Sequence, residues 1–101
     1  MIKIKIKKEN DLVSNIEIKG HSGYDEFGRD IVCASVSTMT ITTVNAIIRY
    51  DCESITYNQD EGYVNIVVLK HSNVVDMLLE NLISLLKELE TQYKKNIKIY
   101  E

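Results

Sequence analysis

Two side chains able to carry nucleophilic chemistry stand close together in the first third of this chain: His21 and Cys33, twelve positions apart. A thiol attacks as thiolate, and an unperturbed cysteine with a pKa of about 8.5 is only a few per cent ionised near neutrality. Two activating devices are within reach. An imidazole can take the proton, and the positive end of a helix favours negative charge in its first turn. With Asp30 as N-cap, Ile31, Val32 and Cys33 become the first three helical positions, and the sulfur sits where that field is strongest. An N-cap carboxylate accepts from the N–H two or three residues on, here Val32 or Cys33. Those N–H groups are also the natural donors of an oxyanion hole. Asp30 therefore has two roles open to it: it caps the helix and leaves the hole to other donors, or it turns toward His21 and fixes the tautomer. Ser37 lies one turn beyond Cys33 on the same face, where it either positions a substrate or the thiol, or bonds back to its own backbone.

The elements that must hold these groups are legible from periodicity. Residues 1–8 alternate strictly, so Ile2, Ile4 and Ile6 face a core and Lys3, Lys5 and Lys7 face water. Glu9-Asn10-Asp11 is a polar turn, and residues 12–19 return through Val13, Ile16 and Ile18 as an antiparallel partner. Gly20 ends that strand, and His21 follows at once. The loop from Ser22 to Arg29 carries Gly23 and Gly28 near its ends with Tyr24 and Phe27 between them. That composition suits a hinged lid and equally a surface loop whose aromatic residues pack down as anchors.

Residues 30–50 are β-branched at many positions but too long for a strand, and Val32, Val36, Met39, Thr43 and Ile47 recur at helical steps. Such a helix is expected to be covered on more than one side. Residues 51–58 read as a third strand, 58–62 as a hairpin turn, and 63–69 as a nearly continuous apolar strand covered on both faces. Cys52 is then a small structural residue at a strand start. His71-Ser72-Asn73 caps a second helix with a long Leu-rich face and places His71 at the surface, and residues 96–100 form a last short strand. The expected architecture is α+β: a two-layer sandwich of one domain, 1–101, with two helices packed on one mixed or antiparallel sheet in the order ββαββαβ.

Bulk properties bound the function. The chain has 101 residues, 45% apolar and 27% charged, with a formal net charge of -3. One soluble core is expected, and the net charge argues against broad attraction to nucleic acid while leaving room for a local basic patch. No run approaching the roughly 20 apolar residues of a membrane span is evident, and no signal peptide, so a cytoplasmic protein without membrane attachment is expected. The two cysteines read as free thiols. His21, Cys33, Cys52 and His71 lack the close pairing of structural zinc ligands, so neither metal nor cofactor is expected.

Gly20-His21, Gly28, Asp30-Ile31-Val32-Cys33-Ala34 and Val36-Ser37 together resemble the signature of the bacterial ribosomal-processing cysteine protease family, called Prp. Val44-Asn45-Ala46-Ile47-Ile48, and the second helix running into Tyr93 and Asn96-Ile97, are similar to it as well. The resemblance implies a cysteine endopeptidase with Cys33 as nucleophile, His21 as general base, Asp30 and Ser37 in support, and Gly20, Gly23, Tyr24, Phe27 and Gly28 in a substrate-binding loop. It implies removal of the N-terminal extension of large-subunit ribosomal protein L-twenty-seven after an aromatic pair, by a homodimer with a mobile loop, with no direct need of nucleic acid. Ser22 and Ser35 depart from the family pattern by an atom or two, which implies little change. The rival from another class is a non-catalytic ribosome-assembly module that clasps the same precursor or ribosomal RNA through Lys3, Lys5 and Lys7.

Overall fold

Alternation in the first two segments has the consequence expected of it. In the computed structural model, which describes residues 1–26 and 29–101, β1 (Ile2–Glu9) and β2 (Leu12–Lys19) form an antiparallel hairpin. Its turn is the pair Asn10 and Asp11, both at positive φ (53° and 65°), the turn whose twist matches the flanking strands. Between Val13 and Ile16 the apolar spacing slips from two to three. A β-bulge absorbs the slip: pairing steps from Lys7↔Asn15 to Lys8↔Val13, leaving Ser14 as the extra residue, its hydroxyl donating to the Lys7 carbonyl at 3.2 Å. Both strands thus keep their isoleucines on one face.

The remaining elements are α1 (Ile31–Tyr50), β3 (Ile55–Asp60), β4 (Tyr63–Val68), α2 (Asn73–Gln92) and β5 (Ile97–Tyr100), in the expected order ββαββαβ. The five strands form one mixed sheet, β3-β4-β2-β1-β5, in which only the β1–β5 pairing is parallel. The core lies between the sheet and the helices. Ile4, Ile16, Ile66 and Ile97 from the strands meet Val32 and Ile47 of α1 and Val75, Leu79, Leu82 and Leu86 of α2, all fully buried.

Several boundaries differ from expectation, each for a physical reason. The third strand starts at Ile55 rather than Asp51, because residues 51–54 turn to cap α1: Asp51 donates its N–H to the Ile47 carbonyl at 2.8 Å, and the buried Ser54 donates its hydroxyl to the Asp51 carbonyl at 2.7 Å. Cys52 is therefore an exposed turn residue and not a packed strand start. The β3–β4 turn is only Glu61-Gly62, with Gly62 at φ +65°.

β4 lies between β2 and β3 but is covered by helices on one face only, since Ile66 is its single fully buried residue. In α1 the buried stripe is Val32, Val36, Thr40, Val44 and Ile47, so Thr40 and Val44 take the places expected of Met39 and Thr43. In α2, Leu85 of the Leu-rich stretch is exposed, while Ile83 is buried. By length and composition α1 is also apolar enough to cross a membrane (mean hydropathy 1.7), although serines and threonines interrupt its apolar side chains. In this fold its apolar stripe packs into the core.

Candidate active site

At the end of β2 the backbone turns away from the sheet through Gly20, at φ +96°. A Cβ there would lie 2.5 Å from the Met1 carbonyl oxygen, so only glycine fits. His21 follows, exposed, beside the β3–β4 turn, and the Gly20 N–H ties the two together by donating to the Gly62 carbonyl at 2.9 Å. Gly62 is constrained by the imidazole itself: a Cβ at that position would stand 3.2 Å from His21 Nε2.

Cys33 enters from the other side, as the third residue of α1, half-buried. Of the two roles open to Asp30, the structure shows the cap. Its Oδ1 accepts from the Val32 and Cys33 N–H groups, each at 3.0 Å, and its Oδ2 accepts from the Ser22 hydroxyl. With Asp30 seated there, both N–H groups at the helix start are engaged. The backbone donor that faces the sulfur is instead Ser22, whose N–H lies 3.2 Å from Cys33 Sγ. Partial burial pushes the Asp30 carboxyl up, but the Ser22 hydroxyl, the Cys33 N–H and thiol and the Val32 N–H outweigh it. The carboxyl is held below its ordinary range.

Ser22 is 2% exposed and joins more of the site than its single departing atom implied. Its hydroxyl accepts from the Tyr24 N–H at 3.1 Å while donating to Asp30, and its carbonyl accepts from Asn96 Nδ2 at 3.0 Å. The strand end, the start of α1 and the α2–β5 connection thus converge on one residue. Tyr24 packs edge-on against Tyr93 of that connection, ring centroids 5.4 Å apart and planes at 89°. That contact is of the kind an anchor makes, with Tyr24 still 47% exposed; Phe27 and Gly28 lie outside the described residues.

A cleft of about 230 Å³ runs between α1 and the strands, bordered by both His21 and Cys33. Ile2, Ile18, Val36, Ile41, Tyr57 and Val64 supply its apolar wall, and Gly20, Ser37 and the buried Thr40 also border it. Tyr24 does not border it; the aromatic residues along it are Tyr57 and Tyr63 of the sheet. An adjoining depression is bordered by His21, Cys33, Gly23, Asp25, Asp30, Ser37 and Glu61. Ser37 is exposed at the edge of both. His71 is remote in role as in sequence, pairing with Asp76 at 2.8 Å beside the N-terminus of α2. Sequence reasoning missed Ser22, Tyr57, Gly62 and Asn96, whose parts depend on contacts between distant segments. Among the described residues no cluster of three or more histidine, cysteine or acidic side chains is arranged to hold a metal.

The arrangement offers a thiol, a neighbouring imidazole and an apolar trough for a side chain, which is the equipment for acyl transfer. Comparison with known proteins agrees. The model of the family described as Cysteine protease Prp matches residues 1–98. The ribosomal processing cysteine protease Prp of Staphylococcus aureus (strain NCTC 8325 / PS 47) is 31% identical over 90 residues, covering 86% of this chain and 85% of the relative. That of Bacillus subtilis (strain 168) is 27% identical over 107 residues, covering 98% and 96%. The fold superposes with a TM-score of 0.92 on the essential ribosomal processing protease Prp from S. aureus in complex with a covalently linked product peptide, at 29% identity over 98% of this chain and 97% of the other. Against the same protease in complex with a substrate peptide the TM-score is 0.83, at 27% identity and with 99% and 98% covered. From its residues, its fold and these relatives, the chain belongs to the cysteine protease Prp family and is a hydrolase of the cysteine protease class.

Proposed function

We propose that this protease removes the N-terminal extension of large-subunit ribosomal protein L-twenty-seven, cutting after an aromatic pair, with Cys33 as nucleophile and His21 as general base. One observation carries the reading: the strand end bearing His21 and the helix start bearing Cys33 border a single apolar cleft. The relatives' name, ribosomal processing cysteine protease, supports a ribosomal protein as substrate. The S. aureus structures with product and substrate peptides support a peptide as the molecule acted on.

In the reaction, His21 takes the Cys33 proton and the thiolate attacks the carbonyl carbon that follows the aromatic pair. The imidazolium then gives its proton to the departing amine as the C–N bond breaks, leaving a thioester on Cys33. Water, deprotonated by His21, displaces the sulfur and frees the N-terminal fragment as its carboxylate. Asp30 and Ser22 hold the first turn of α1 in register, and the Ser22 N–H steadies the sulfur. The apolar wall with Tyr57 accepts an aromatic side chain, and Gly23 leaves the adjoining depression open to the peptide backbone. Ile31, Ile41 and Ile48, exposed on α1, support a homodimer as the working assembly, and a ribosomal substrate supports action in the cytoplasm.

Mass spectrometry of the precursor incubated with wild type, Cys33→Ala and His21→Ala tests the proposal. Cleavage after the aromatic pair by wild type alone is the expected result. Intact precursor in all three incubations, with the precursor retained in complex, would favour the non-catalytic binding module.

A further inference from the structure

The open face of the sheet, opposite both helices, carries a concentration of positive charge at odds with the acidic whole. Strand register lines up Lys19, Lys3 and Lys98 side by side across β2, β1 and β5, since Lys3 pairs with both of the others. Lys5 and Lys7 continue the row along β1, so ammonium groups recur about every 7 Å along that strand. All five are exposed, and the carboxylates on this face are Glu17 and Asp60 in the register of the central strands and Glu9, which continues the Lys3, Lys5, Lys7 alternation at the far end of β1. The net charge of the chain is nonetheless -3.

Like charges directly opposite one another across strands cost stability. Lysine is tolerated on sheet edges because it discourages edge-to-edge pairing, but β1 is not an edge: it lies between β2 and β5. Among the described residues, of these five lysines only Lys19 has an ion-pair partner, Glu17 at 3.8 Å. Edge protection therefore accounts for Lys98 on the edge strand β5 and not for the lysines of β1 and β2. Aromatic rings stand among the charges: Tyr100 pairs with Lys5 in register and is 43% exposed, and Lys19 Nζ lies 5.7 Å from the centre of the Tyr63 ring. Ammonium groups interleaved with accessible ring faces are the surface that single-stranded nucleic acid uses, phosphates on the cations and bases on the rings.

We propose that this face binds the sugar-phosphate backbone of RNA in single-stranded segments, with Lys3, Lys19 and Lys98 as the principal phosphate ligands and Tyr100 as a stacking platform. The choice of RNA over an acidic protein segment rests on those rings and on the ribosomal substrate argued above. Lys19 is two residues from His21, so RNA held here lies at the end of the sheet where peptide is cut. The surface tethers the protease beside its substrate and takes no part in the chemistry.

The test is fluorescence anisotropy with a labelled single-stranded RNA about a dozen nucleotides long, titrated at several salt concentrations. Wild type should bind, more weakly as salt rises. The combined variant Lys3→Gln, Lys19→Gln, Lys98→Gln should weaken binding at least tenfold and flatten the plot of log K against log salt by about 2, roughly 0.7 for each phosphate no longer neutralised. Tyr100→Ala should weaken binding with the salt slope unchanged. Lys87→Gln, on α2 and paired with Glu101, should change neither. If the combined variant does not fold, Lys98→Gln alone should still lower the slope. Cleavage of a short precursor peptide, measured on the same samples, should match wild type throughout. Failure of wild type to cleave refutes the substrate proposed above and leaves the RNA result standing. No RNA binding at low salt overturns the inference, as does an affinity indifferent to the lysines, or polyglutamate competing as well as RNA at equal charge.

Discussion

Removing the Asp30 side chain should loosen the site from the helix start outward. Asp30→Ala deletes the acceptor for two N–H groups at 3.0 Å, a loss of about 1 kcal/mol for an N-cap. It also removes the acceptor of the hydroxyl of Ser22, which is 2% exposed, for about 1 kcal/mol more. The sum of about 2 kcal/mol should lower the melting temperature by roughly 8–16 °C in a domain of this size. Asp30→Asn keeps an acceptor at the same place and should lose well under half of that, because asparagine caps nearly as well. The two variants differ in pH dependence as well. The Asp30 carboxyl is held below its ordinary range, so its ionisation favours the fold at all pH values above the unfolded pKa of about 3.9. That contribution shrinks as pH falls below about 4 and is gone once the folded carboxyl is protonated. Thermal melts of wild type, Asp30→Asn and Asp30→Ala from pH 7 to pH 3 measure both effects. Wild type should lose its advantage over Asp30→Asn across the acid end of that range, and an alanine variant as stable as wild type, or a gap constant with pH, would refute the reasoning.

Three further outcomes follow from the same geometry. Ser22→Ala removes the donor to Asp30 Oδ2, so the Asp30 carboxyl should titrate higher than in wild type, read by carbon-13 NMR; an unmoved midpoint contradicts the role given to Ser22. Gly62→Ala puts a Cβ 3.2 Å from His21 Nε2 at a φ of +65°, so it should cost about 1 kcal/mol of stability and lower kcat on a precursor peptide about tenfold with KM little changed. Unaltered kcat in a folded variant would detach Gly62 from the imidazole. Thr40→Val replaces a buried hydroxyl that has no hydrogen-bond partner among the described residues by a methyl of similar shape, and should raise stability by about 1 kcal/mol in denaturant melts; a decrease would mean that the hydroxyl has a partner in solution.

Most of the fold was legible because each element announces itself locally. Strict alternation in β1 needs no partner to be recognised, and Asp30 and Ser72 mark helix starts by residue type alone. What escaped depends on chain segments far apart in sequence. The apolar run of β4 implied cover on both faces, yet half of it faces outward because both helices cross the other side. The stripe of α1 shifted toward Thr40 and Val44 because the strands and α2, not intrinsic hydrophobicity, decide which face is buried.

The site divides in the same way. His21, Cys33 and Asp30 stand out by chemistry and spacing, whereas Ser22 looked like a steric detail one atom larger than alanine. That atom matters because a buried hydroxyl must find partners, and here a carboxylate and an N–H group lie to either side of it. Once Ser22 holds Asp30 on the cap, the Val32 and Cys33 N–H groups cannot also meet a substrate oxygen without giving up the carboxylate. Either Asp30 leaves the cap during the reaction or the tetrahedral intermediate is met by a donor outside it, and the Ser22 N–H, 3.2 Å from the sulfur, is already in position to be that donor. The two routes separate by measurement. If Asp30 must leave, Asp30→Ala should lose stability yet keep or raise kcat; if it stays, kcat should fall along with the melting temperature.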